Sequence, residues 1–206
     1  MVKTETEIQF DNLVSKVIYP HFKAIGYKKT GSNFRYYDND NGFGKIVSFQ
    51  KSRFYSKDHI NFAVNVGLYL NDFEFYLTGK KSAEKFTEVV CAVRYRTGKL
   101  MGDLDTWYDL NADTNIAELQ KRLEQHFLNY IIPYLDKIKT RDDIINELIL
   151  ESTYGYPVIA RIKTLYHNGQ REKALNILKS EYRGATEVMK KWLDNLNLEL
   201  TKTPNT

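Results

Sequence analysis

Alternation of apolar and polar side chains at every second residue dominates the stretch from Asn33 to Leu70. Ile60, Phe62, Val64, Val66, Leu68 and Leu70 occupy alternate positions, and because neighbouring strand side chains point to opposite faces they form one apolar stripe. Asn61, Ala63, Asn65, Gly67 and Tyr69 stand between them. The segment from Lys45 to Phe54 pairs with this strand if Val47 and Phe49 point into the core, which turns Ser48, Gln50 and Ser52 to the other side. Phe34 and Tyr36 repeat the pattern one strand earlier and set Asn33, Arg35 and Tyr37 beside those polar residues. The expectation is an antiparallel sheet with one dry face and one polar face. Asp38 to Gly44, rich in Asp, Asn and Gly, supplies the first hairpin loop. It does not suit calcium, because Phe43 and Phe49 stand where an EF-hand loop needs Gly and a bidentate Glu.

The flanking segments carry the helical period. Phe10, Leu13, Val14, Val17, Ile18, Phe22 and Ile25 give one apolar face to a helix over Glu5 to Ile25, with Pro20 expected to kink it or divide it after Tyr19. Beyond Leu70 the pattern predicts a fourth strand over Phe73 to Leu77 and a fifth over Val89 to Tyr95. Thr97 to Asp105 is expected to be irregular, and Trp107 to Leu110 a short last strand. A long amphipathic helix follows from Asn115 through Ile138, interrupted by Pro133. Thr140 and Asp143 approximate a capping box for a helix to about Glu151. Thr153 to Pro157 breaks helical geometry and divides residues 1–152 from a helical extension, 153–206. That extension comprises Val158 to His167, Gln170 to Tyr182 and Ala185 to about Leu200, with small Ala160 and Ala174 placed for close packing. The fold class predicted is α+β: an antiparallel meander of five to six strands packed by an N-terminal and a long central helix, then a C-terminal helical hairpin or bundle.

At 206 residues the chain can build a sizeable core without staples. Its one cysteine, Cys91, lies in the apolar run Val89 to Val93, as a buried structural thiol does, and cannot form an internal disulfide. No apolar run approaches the ~20 residues that span a bilayer, so a soluble cytoplasmic protein is expected. Charge is uneven: Lys23 to Lys57 holds eight basic and two acidic residues, a local balance of +6, whereas the remainder has 22 basic and 24 acidic, or −2. Such asymmetry can attract an anionic partner.

No motif specifies chemistry. His21, His59, His126 and His167 fall on four separate elements without ligand spacing, which speaks against zinc. There is no phosphate-cradling glycine loop or elbow-type serine, and the pairs Asp103/Asp105 and Asp142/Asp143 suit a turn and a helix start. No cofactor, metal site or catalytic residue is assigned.

The residues nonetheless resemble a bacterial family catalogued as domain of unknown function 4304. The resemblance rests on Phe22, Lys23, Gly26, Tyr27, Lys28 and Lys29, then Gly31, Asn33, Phe34 and Arg35. It continues through Phe49, Gln50, Lys51 and Ser52, through Asn61, Phe62, Val64, Asn65 and Gly67, and on to Arg96, Gly98, Leu100, Trp107 and Tyr108. It covers about residues 5–140, implies an α+β fold, brings no established activity, and leaves the C-terminal helices as an addition. Three readings follow. The first is a non-catalytic protein-interaction module, regulator- or immunity-like, that binds another protein through Arg35, Tyr37, Gln50, Ser52, Asn61 and Asn65, or through the C-terminal helices. The second is an anion or single-stranded nucleic-acid binder in which Tyr36, Tyr37, Phe54 and Tyr55 stack on bases while Arg35, Lys45, Lys51 and Arg53 meet phosphates. The third is an enzyme whose site would be a deep cleft with a buried polar cluster.

Overall fold

Thr4 opens the first helix with a full capping box: its hydroxyl accepts from the Glu7 amide, and the Glu7 carboxylate accepts from the Thr4 amide. The computed structural model describes residues 2–103, 105–150 and 157–202. Helix α1 (Glu5–Asn12) runs through a π-helical turn, Leu13–Ile18, straight into α2 (Tyr19–Lys23), so Pro20 does not divide it. The Tyr19 amide reaches back five residues to the Val14 carbonyl, and the widened turn accommodates the proline ring and its missing donor. The central helix repeats the device. There α5 (Ile116–His126) passes through a π turn, Phe127–Ile131, into α6 (Ile132–Lys137), which contains Pro133.

Six strands form one antiparallel sheet: β1 (Lys28–Thr30), β2 (Asn33–Asp38), β3 (Phe43–Lys51), β4 (His59–Leu70), β5 (Val93–Arg96) and β6 (Tyr108–Asn111). The first five follow in spatial order. The twelve-residue β4 is long enough to pair with β5 along Asn65–Leu68 and with β6 along His59–Phe62. Phe73 to Leu77, expected as a strand, lies instead in helix α3 (Asn71–Thr78), which Gly79 ends in the left-handed conformation at φ 75°. The sheet keeps its sixth strand because Lys28–Thr30 folds back on β2. Only the end of Val89 to Tyr95 is extended, and Thr97 to Asp105 begins with a short helix, α4 (Thr97–Met101).

The apolar stripe is where the pattern places it: Phe34, Val47, Ile60, Phe62, Val64, Val66, Leu68 and Leu70 are fully buried. Both proline-containing helices cover this face. Phe10 meets Phe62 edge-on at 5.1 Å, Phe22 meets Phe127 edge-on at 5.7 Å, and Phe127 lies flat on Phe49 at 5.7 Å. Lys45, also on this side, is buried. Its ammonium donates to the Leu135 and Ile138 carbonyls at 3.0 and 2.8 Å, closing the end of the central helix from another element.

Thr140 and Asp143 form the expected reciprocal cap of α7 (Arg141–Leu150). The breaker Thr153 to Pro157 and the boundary drawn there lie almost wholly outside the described residues. Beyond them, α8 (Val158–His167), α9 (Arg171–Gly184) and α10 (Glu187–Lys202) pack together, with Ala160 and Ala174 buried. Two arginines help to anchor them. Arg161 donates to the Leu148 and Ile149 carbonyls at 3.1 and 3.0 Å, and Arg141 binds both the Asp72 carboxylate and the Asn168 amide oxygen. Tyr95, the register partner of Val66, packs on Tyr134, and both hydroxyls reach Glu147. The central helix and α7 therefore meet the sheet from its apolar side.

Candidate polar sheet face

Strand register brings the polar residues together. Asn33 pairs with Ser48, Ser48 with Asn65, and Asn65 with Arg96, so one straight polar row crosses β2, β3, β4 and β5. With strands about 4.8 Å apart, the row spans roughly 14 Å. Gln50, on the same face of β3, accepts from the Asn65 amide at 2.8 Å, while Asn61 donates to Asp109 of β6 at 2.8 Å. Ser52 links β3 to β4 through its backbone amide, which donates to the Asn61 carbonyl at 2.7 Å.

The other half of this face is not open. Residues 79–92 return across it as a strap held by a second small core of Ile46, Tyr69, Phe86 and Cys91. Gly67 lies beneath the strap, where a Cβ would stand 2.7 Å from the Cys91 sulfur and 2.9 Å from Ile46 Cγ2. At the foot of the strap the buried Glu74 carboxylate accepts from the Tyr69 hydroxyl and from the Ser82 amide, each at 2.6 Å.

The six residues singled out in the sequence thus share a face but divide between its halves. Arg35 and Tyr37 belong to the covered half. Arg35 Nε donates to the Phe86 carbonyl at 2.6 Å, and burial lowers its basicity. Tyr37 packs against Tyr69 and Phe86, and both side chains stay half-exposed at the edge of the strap. Gln50, Ser52, Asn61 and Asn65 occupy the open half, where Gln50 is exposed and Asn65 is sealed by its neighbours.

Sequence reasoning missed the continuation of the open half across β5 and β6. The Arg96 guanidinium lies 4.8 Å over the Trp107 ring and donates to Asp105 at 2.7 Å, while the indole N–H donates to the same carboxylate at 2.9 Å. Partial burial would raise the Asp105 pKa, but these hydrogen bonds hold it below the usual carboxylate value. Asp109 is likewise held low, by Asn61 and then by His59. The alternation Val93, Arg94, Tyr95, Arg96 is the signal that places Arg96 beside Asn65, once β5 is known to pair with β4.

The groups proposed to bind nucleic acid do not converge. Tyr36 and Lys45 lie on the apolar side of the sheet, Tyr37 lies under the strap, and Lys51 is drawn over the Phe10 and Tyr55 rings. A groove of about 530 Å³ runs between β6 and α5, lined by Asp109, Glu118, Lys121 and Arg122 among others. It sits at the opposite end of β4 from the buried Glu74 cluster. Among them there is also no group of three or more His, Cys, Asp or Glu placed to hold a metal ion. No helix among them is long and apolar enough to cross a membrane.

Residues 18–137 match the family described as Domain of unknown function (DUF4304). The chain belongs to that family. The match spans α2, the sheet and the central helix through α6, and it leaves out α1 and α7. No curated protein and no solved structure matches the chain. Many of the residues that carried the resemblance in the sequence are brought together on the open half by folding: Asn33, Gln50, Ser52, Asn61, Asn65, Arg96 and Trp107.

Proposed function

We propose that the chain is a non-catalytic protein-interaction module and that the open half of its polar sheet face, from Asn33 and Gln50 to Arg96 and Trp107, binds another protein. The observation that supports this reading is the polar row across four strands, which stands on the face opposite the one covered by the two proline-containing helices. Its chemistry suits a polypeptide. Amide side chains (Asn33, Gln50, Asn61) both donate and accept, as backbone and polar side chains require, and the Arg96 and Trp107 pair supplies the type of group that anchors protein interfaces. The chemistry suits phosphate less well, because Arg96 is bound to Asp105 and Arg94 to Glu88, at 2.7 and 2.5 Å. A soluble intracellular setting and a regulator-like role fit this reading.

The test is a paired pull-down from native host lysate with the wild-type chain and with Trp107→Ala. A protein retained by the first and lost with the second is expected. Recovery of identical proteins by both would remove the reading.

A further inference from the structure

We infer that the β3–β4 hairpin is an anchoring finger, and that Phe54 at its tip enters an apolar pocket ringed by acidic residues on the partner protein. The inference rests on the reading that the open half of the sheet binds a protein, since the hairpin rises from the end of that half marked by Ser52 and Asn61. Phe54 is 96% exposed and Tyr55 beside it 45%. A lone exposed apolar residue is ordinary, but this one stands on a built frame. The Ser52 hydroxyl accepts from the Phe54 amide at 3.2 Å, and the Tyr55 amide donates to the Ser52 carbonyl at 3.3 Å. On the return side, Ser56 and His59 exchange hydrogen bonds at 2.9 and 3.0 Å.

The hairpin is also braced from outside. Thr4, at the cap of α1, donates to the Lys57 carbonyl at 2.6 Å, and Lys51 lies 4.5 Å over the Phe10 ring and 5.1 Å over that of Tyr55. A ring held outward on a fixed turn loses little freedom on binding, the condition under which one aromatic side chain contributes most to an interface. Within the folded chain, Phe54 gains nothing from standing in water.

Charge selects the partner. The segment from Lys51 to Asp58 that forms the tip carries Lys51, Arg53 and Lys57 against Asp58. The surface that meets this finger is therefore acidic around an apolar recess.

The test places a photo-activated benzophenone side chain at position 54 of the full chain, cross-links in the native host, and identifies the adduct and the linked peptide by mass spectrometry. The expected adduct is one protein linked through an apolar peptide flanked by Asp and Glu. Its binding to the purified wild-type chain should weaken at least tenfold with Phe54→Ala, and should also weaken between 50 and 200 mM salt. Circular dichroism of Phe54→Ala should show an unchanged fold. The inference is overturned by an adduct on a second copy of this chain, by an adduct on lipid with Phe54-dependent binding to phosphatidylserine vesicles, or by binding of the identified protein that Phe54→Ala leaves within twofold. If a partner is lost with Trp107→Ala but kept with Phe54→Ala, the finger fails while the sheet face stands. The reverse result removes the sheet face.

Discussion

The Phe86 ring lies flat on that of Tyr69, centroids 4.2 Å apart and planes 13° from parallel. Both are fully buried although they sit on the polar side of the sheet. This stack and the Arg35 hydrogen bond to the Phe86 carbonyl hold the strap of residues 79–92 down. Phe86→Ala is expected to cost about 3 kcal/mol, at the lower end for a buried Phe because the cluster is small. Urea denaturation measures the loss. Hydrogen exchange should show the 79–92 amides and the Arg35 to Tyr37 segment losing protection, with the α1 amides unchanged.

Gly67 and Cys91 form a second contact beneath the strap. Gly67→Ala is expected to cost about 1 to 3 kcal/mol, because a methyl group there overlaps the Cys91 sulfur and Ile46. The double variant Gly67→Ala/Cys91→Ala should lose less than the sum of the two single changes. Additive losses in chemical denaturation would show that the sulfur is not the obstacle.

Lys45→Met should destabilise by about 2 kcal/mol. The methionine keeps the apolar stem but leaves the Leu135 and Ile138 carbonyls without the charged donor they share. Thermal unfolding followed at 222 nm reads the change, and Lys51→Met, whose ammonium caps no helix, is the control.

Arg141→Ala should cost about 2 kcal/mol by loss of charge-assisted hydrogen bonds to Asp72 and Asn168. Because Arg141 starts α7, Asp72 belongs to α3 and Asn168 follows α8, limited proteolysis should then cut faster among residues 157–202 than in the sheet.

Burial holds the Tyr27, Tyr69 and Tyr108 phenols protonated well above their ordinary value of 10.0. The unfolded chain releases these protons near pH 10 and the folded chain does not, so the unfolded state binds fewer protons there. Stability is intact below pH 10 and falls as pH rises toward the folded-state values. Lys45 acts in the opposite sense, because burial lowers its pKa from 10.5. In Lys45→Met the alkaline decline should therefore be steeper. Absorbance at 295 nm against pH, paired with far-UV dichroism, should show a late fraction of tyrosine ionisation coinciding with unfolding.

The sheet was legible where one face is buried and the period is unambiguous, as from Ile60 to Leu70. Phe73 to Leu77 misled because Phe73, Phe75 and Leu77 alternate like a strand. The deciding features, Asp72 accepting from the Phe73 amide and Gly79 free to turn left-handed, lie just outside that window. The strap was hidden for another reason: Phe86 and Cys91 mark it only after one knows that Gly67 leaves room above β4. Half of the candidate face could be read from alternation in β3 and β4. Arg96 and Trp107 could not, because their place beside Asn65 depends on pairing between strands distant in the chain.

The pairing of β4 with both β5 and β6 also orders the assembly of the molecule. The hairpins from β1 to β4 close over short loops, whereas the Asn61 and Asp109 hydrogen bond spans 48 positions. Long loops close at greater entropic cost and are favoured only after local structure exists. The polar surface is therefore completed only after the β1 to β4 hairpins have formed, when β6 docks along the first residues of β4.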